Sequence, residues 1–213
     1  MKKKVDITVV LDRSGSMQSI KNETIKGFNE FVSNQIKLNV DNRLTLVQFD
    51  HEYELLYEAI DMNEVIELSV GNYVPRGLTA LLDAIGKTIK ITNDRHKVLK
   101  NEELPDKVLF VIITDGLENN STKFSRKMIF NKIKKMENKH KWEFIFLAAN
   151  QDAISEAENY GIEAKRAMTF AADAIGTKDM FFSMSESILG CVSNECEFEF
   201  TEEQREKQKR NNN

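Results

Sequence analysis

Apolar positions along the chain fall into two kinds of run. Residues 5–11 (VDITVVL), 107–114 (KVLFVIIT) and 142–149 (WEFIFLAA) are nearly continuous in hydrophobic residues. Runs of that length bounded by polar residues read as strands buried on both faces. Residues 18–37 instead place Ile25, Phe28, Val32 and Ile36 at spacings of three and four, with Phe31 widening the stripe. That spacing predicts an amphipathic helix. A second helix is expected to open near Thr79 with Leu78, Leu81, Leu82, Ile85 and Ile89 on one face, and to end near Asp94. A third spans 125–139 with Ile129, Ile133 and Met136 inward, and a last spans 174–192 with a stripe of Phe181, Met184, Ile188 and Val192. Residues 63–68 and 152–160 suggest short helices, the latter stopped by Gly161. Residues 167–170 suggest a short edge strand. Residues 43–50 and 53–60 read as strands joined only by His51 and Glu52, so they must run antiparallel.

Strands alternating with helices predict an α/β fold: a doubly wound, mostly parallel sheet with one antiparallel edge strand and helices on both faces. Ligands of such sheets bind beyond the carboxyl ends of the strands, where the strand order reverses. Two of the most apolar strands end there in aspartate, at Asp12 and Asp115. After Asp12 come Arg13, Ser14, Gly15 and Ser16, so short oxygen side chains alternate at Asp12, Ser14 and Ser16. Gly15 lets the chain turn between them. A carboxylate and two hydroxyls are hard donors that suit Mg²⁺, Mn²⁺ or Ca²⁺. They do not fill an octahedron, and Thr79 and Asp115 are the residues that can supply more. Taken singly, each has a plainer reading: Ser16 and Thr79 as helix caps, Asp115-Gly116 as a turn.

Asp12-x-Ser14-x-Ser16, then Thr79, then Asp115-Gly116 resembles the metal-ion-dependent adhesion site of von Willebrand factor type A domains, and the likeness extends over roughly residues 5–192. The resemblance implies a Rossmann-like fold of the free-standing intracellular type. It implies direct coordination through Ser14, Ser16 and Thr79, with Asp12 and Asp115 acting directly or through water. One coordination position would stay open for a carboxylate from a protein partner. Gly15, Asp83, Gly116, Glu118 and Asn119 are the neighbouring positions that could support or rim the site, with a solvated loop as the plainer reading of Glu118 and Asn119 and simple exposure as that of Asp83. Mg²⁺ is the first expectation because it keeps waters and takes few carboxylates, with Mn²⁺ or Ca²⁺ as alternatives. The function implied is a metal-dependent protein-binding module within an intracellular complex, not an enzyme.

Composition narrows this reading further. The chain has 213 residues, a formal net charge of −4 and a pI near 5.6, which gives no general pull towards nucleic acid or anionic lipid. Cys191 and Cys196 lack the further Cys or His that a zinc site needs. The basic start is interrupted by Asp6 and closed by Asp12, too acidic for a signal peptide. No apolar stretch approaches the ~20 residues of a membrane span. The cytoplasm is therefore the expected location. Residues 1–193 are expected to form one domain, and the polar residues 194–213 an unordered tail.

Two other functions stay open. Lys123, Arg126, Lys127, Lys132, Lys134, Lys135, Lys139 and Lys141 crowd one helix and its flanks, residues 123–141. They form either a solvated face or a surface for RNA or DNA, with Phe124 and Phe130 among them; Phe130 is expected to pack towards the sheet. A metal-dependent hydrolase is the other. Against it, the chain has no GxxxxGK[ST], GxGxxG or GxSxG motif. His51, His96 and His140 share no ligand spacing. The strand-end pattern of haloacid dehalogenase-like phosphatases is DxDx[TV], and its second Asp is Ser14 here, which cannot serve as a general acid.

Overall fold

A computed structural model describes residues 2–38, 40–149, 152–194 and 196–210. The continuous apolar run at the start forms β1 (Lys4–Asp12), which lies inside a six-stranded sheet of order β3-β2-β1-β4-β5-β6. β2 (Asp41–Phe49) and β4 (Lys107–Thr114) flank it in parallel, pairing Val10 with Val47 on one side and Ile112 on the other. β5 (Glu143–Ala149) and β6 (Ala167–Phe170) continue the parallel ladder. β3 (Tyr53–Asp61) turns back antiparallel on β2, as the two-residue link requires. Its pairing is irregular near Leu46, and Ala59 takes a positive φ of 51°.

Both faces of the sheet are covered, which is why its strands carry apolar residues at consecutive positions. On one face α1 (Lys21–Ile36) and α5 (Ala174–Ser193) pack over Ile7, Val9 and Leu11. The two helices approach closely: a Cβ on Gly27 would lie 2.3 Å from the ring of Phe181. On the other face α2 (Leu81–Val98), α3 (Arg126–His140) and α4 (Ala153–Asn159) cover Val10, Phe110, Ile112 and Phe146. The chain leaves β1 for β2 on one side and later enters β4 on the other. The strand order therefore reverses between β1 and β4, which end in Asp12 and immediately before Asp115.

Several expectations need correction. The described part of the polar C-terminal stretch, residues 196–210, is not an unordered tail: Phe198 and Phe200 are buried in the core on the α1–α5 face, and α6 (Glu202–Arg210) follows; residues 211–213 lie outside the described residues. Its polar side chains bond main-chain groups at the open edge of the sheet. Arg205 donates to the carbonyls of Ala164 and Ala167, while Gln208 accepts from the Ala171 amide and donates to the Gly176 carbonyl. Residues 63–68 hold only a single 3-10 turn, Met62–Glu64. Thr79 precedes α2 rather than opening it, Leu78 faces solvent, and α2 runs on past Asp94. At the end of α1 the buried residue is Gln35, with Ile36 exposed. Phe130 lies on the outer side of α3 near Gly161, where a Cβ would meet its ring at 3.1 Å.

Candidate metal centre

At the end of β1, Asp12 is fully buried and both its oxygens are engaged. Oδ1 accepts from the Ser14 amide at 2.6 Å and Oδ2 from the Thr114 hydroxyl at 2.6 Å. The Tyr73 hydroxyl donates to its main-chain carbonyl at 2.7 Å. These bonds fix the turn that follows. Ser14 sits in extended geometry before a 3-10 turn, Gly15–Ile20, yet its side chain caps nothing. α1 and α2 likewise start without a side-chain cap, so capping does not account for Ser16 or Thr79.

These hydroxyls instead face one another. Ser14 Oγ lies 3.1 Å from Ser16 Oγ, and Ser16 Oγ donates to Asp115 Oδ1 at 2.6 Å. The most direct sign of convergence comes from Gly116. A Cβ built on it would lie 2.9 Å from Thr79 Oγ1, 3.3 Å from Ser16 Oγ and 3.5 Å from Ser14 Oγ. Two segments far apart in sequence thus aim three hydroxyl oxygens at one cradle, and glycine at 116, on a third segment, leaves it open.

The two carboxylates at this edge have no cationic partner among the described ion pairs. Burial pushes the Asp12 carboxyl up to about 7, against the lowering effect of its bonds from Thr114 and Ser14. Burial also raises Asp115, opposed by Ser16. Negative charge held in so dry a place is costly without a counter-charge. A hard-oxygen set with two such carboxylates fits a divalent cation.

The neighbouring residues hold the loops. Asn119 grips Thr79 twice: its Oδ1 accepts from the Thr79 amide at 2.9 Å and its amide donates to the Thr79 carbonyl at 3.0 Å. Glu118 accepts from Leu82 N, Ser121 Oγ and the amides of Asn120 and Ser121, tying its loop to the start of α2. Asp83 accepts from the amides of Thr122, Lys123 and Phe124, so it anchors that loop. The Gly15 amide donates to Gly77 O at 3.1 Å.

The sequence reading missed Asp50, which follows β2 and is fully buried. Arg13 Nε and Arg76 Nε donate to its Oδ2 at 3.0 and 2.9 Å. Burial raises its carboxyl, but the Glu52 amide, Arg76 and Arg13 together bring it below the ordinary range. A strand-end aspartate was the only signal, and nothing in the spacing named its arginines. Asp50, His51 and Glu52 also bring potential ligand atoms within 4.8 Å of one another. Asp50 is already neutralised by two guanidiniums, so this group is the poorer cation site. The histidines lie elsewhere than the cradle: His51 beside Asp50, His96 on Asp6 at the other end of β1, and His140 in the last turn of α3.

Comparisons with known proteins agree with this fold. The family model described as "von Willebrand factor type A domain" matches residues 7–118, just over half of the chain. No curated protein sequence matches significantly. Among solved structures, the vWF domain of the type V pili tip protein Mfa5 from Porphyromonas gingivalis aligns with a TM-score of 0.64 at 11% identity, covering 90% of this chain and 97% of that one. A von Willebrand factor type A protein from Catenulispora acidiphila aligns at 0.59 and 13% identity over 89% of this chain and 43% of its own. Proximal thread matrix protein 1 from the mussel byssus, in a structure "with zinc occupied MIDAS motif", aligns at 0.56 and 16% identity over 92% of this chain and 46% of its own. The chain therefore spans less than half the length of the last two. Among the described residues, no helix is long and apolar enough to cross a membrane.

Proposed function

The chain belongs to the von Willebrand factor type A family, and on that premise we propose that it is a binding module that grips an acidic side chain of a protein partner through a divalent cation. The observation that carries this is the cradle at Gly116, where the hydroxyls of Ser14, Ser16 and Thr79 converge. In this reading the three hydroxyls hold Mg²⁺ or Mn²⁺. Asp115 stands beside Ser16, and Asp12, with both oxygens taken, supports the ion from behind or through water. The ion would supply positive charge at the sheet edge. Neutral hydroxyls do not cancel that charge, so a partner carboxylate gains a charge-assisted contact that a neutral group does not. We place the module in an intracellular assembly and assign it no reaction.

The test is capture from cell extract on the immobilised chain, with Mg²⁺ or with EDTA. A partner should be retained in Mg²⁺, released by EDTA and lost with Thr79→Val. Changing one of its Asp or Glu residues to the amide should weaken binding about as much as EDTA does. Retention unaffected by EDTA, or a full scan of the partner's acids without effect, would remove the reading. RNA eluting in a salt-dependent way would favour the basic α3 surface instead.

A further inference from the structure

Both loops that carry the cradle hydroxyls are fastened to one residue. Asp50 receives Arg13, which lies between Asp12 and Ser14, and Arg76, which lies three residues before Thr79. Its own carbonyl accepts from the amide of Ala80, the residue after Thr79, at 2.9 Å. Its Oδ1 accepts from the Glu52 amide at 2.6 Å, which orients the carboxylate. The same two loops are joined directly by Arg76 N to Arg13 O at 2.8 Å and Gly15 N to Gly77 O at 3.1 Å. Arg13 is buried and also bonds Glu54; Arg76 is half exposed and also bonds Glu52. The separation between Thr79 and the two serines is therefore set from behind, by an ion-paired cross-link that touches none of the three hydroxyls.

Resting on the metal-binding reading above, we propose that Asp50, Arg13 and Arg76 are positioning residues that hold the cradle narrow and so set its preference for small divalent ions. Mg²⁺ demands near-ideal octahedral geometry at about 2.0–2.1 Å, whereas Ca²⁺ accepts about 2.3–2.6 Å in flexible, irregular sites. A cross-linked cradle meets the first demand, and a loosened one meets only the second. The effect is opposite in sign to simple charge: deleting an arginine near a cation site should, by Coulomb attraction alone, tighten every ion.

The experiment is calorimetric titration of the full chain with Mg²⁺, Mn²⁺ and Ca²⁺, for wild type, Arg76→Met and Asp50→Asn. Arg76→Met leaves Asp50 paired with Arg13, so its metal-free urea midpoint should stay close to wild type. The wild type should bind Mg²⁺ and Mn²⁺ more tightly than Ca²⁺. Arg76→Met should weaken Mg²⁺ and Mn²⁺ about tenfold, the usual scale for residues supporting metal ligands. Ca²⁺ should change by less than about threefold, because its coordination is adaptable. Asp50→Asn should act in the same direction and further. Unchanged ion ratios in the folded variants, an equal change for all three ions, or a wild type that favours Ca²⁺ would overturn the clamp alone. A wild type that binds none of the three would overturn the metal reading and the clamp with it.

Discussion

Two aspartates stand on β1, six residues apart and both buried: Asp6 at 5% exposure and Asp12 at 0%. They differ in what completes them. Asp6 Oδ2 accepts from His96 Nε2 at 2.6 Å and from the guanidinium of Arg95, both supplied by the last turn of α2. That helix end favours cations in any case. His96 is further held edge-on to Trp142. Asp12 accepts from the Ser14 amide and the Thr114 hydroxyl, and among the described ion pairs no cation joins it. One carboxylate is closed by the fold; the other, on the metal-binding reading proposed above, would receive its positive charge from outside. Burial of a carboxylate alone does not mark a site, and the missing counter-charge does.

Substitution should separate the two with opposite signs. Asp6→Ala leaves Arg95 and His96 facing an emptied, nearly buried position, and should cost about 3 kcal/mol, the lower end for breaking such a pair. Urea denaturation should show the same loss with and without Mg²⁺. Asp12→Asn should stabilise the metal-free chain at neutral pH. Its amide can donate to Thr114 Oγ1, whose hydroxyl then turns to the Gly116 carbonyl, already 3.1 Å away. A loss of stability in EDTA would erase the contrast.

The same contrast predicts a pH dependence. The folded-state pKa of Asp12 is raised from 3.8 to about 7. A carboxylate shifted upwards contributes most to stability below its unfolded value and loses that contribution as pH rises through its folded value. In EDTA the advantage of Asp12→Asn over wild type should therefore grow by about 4 kcal/mol between about pH 4 and pH 7 and level off above. For the wild type, Mg²⁺ must displace this proton, so its apparent affinity should fall by about tenfold per pH unit below pH 7. A flat affinity between pH 5.5 and 7.5 would contradict the assignment.

The smallest expected effect lies far from both aspartates. α5 is wedged by Phe181 against Gly27, and by Gly176, whose Cβ would lie 2.4 Å from Ala171 O. Such tight seating leaves little room to slide. Hydrogen exchange across Ala174–Ser193 should be unchanged on adding Mg²⁺; faster exchange there would mean that the site and this helix are coupled.

Much of this was legible in the sequence, for identifiable reasons. The mostly parallel sheet with one antiparallel edge strand followed from continuous apolar runs alternating with helical stripes. The shared edge of Asp12 and Asp115 followed because both close buried strands, whereas Ser14, Ser16 and Thr79 were named by the motif and the family it resembles. Asn119 and Asp50 were harder to read, since they act through bonds to main chain and to arginines distant in sequence, which leave no periodic trace. The C-terminal segment was misread because Glu197 and Glu199 alternate with Phe198 and Phe200. The acids set the average composition, while the two rings on one side carry the burial.

The central claim is that Asp12 and the three hydroxyls await an external cation. Its most direct test is calorimetric titration of the full chain with Mn²⁺ at pH 7.5, beside Asp12→Ala and Glu52→Gln. The account predicts one ion per wild-type chain, binding weakened by at least about a hundredfold in Asp12→Ala, and none of that loss in Glu52→Gln. Binding that survives Asp12→Ala but fails in Glu52→Gln would place the ion at Asp50, His51 and Glu52 and contradict the account.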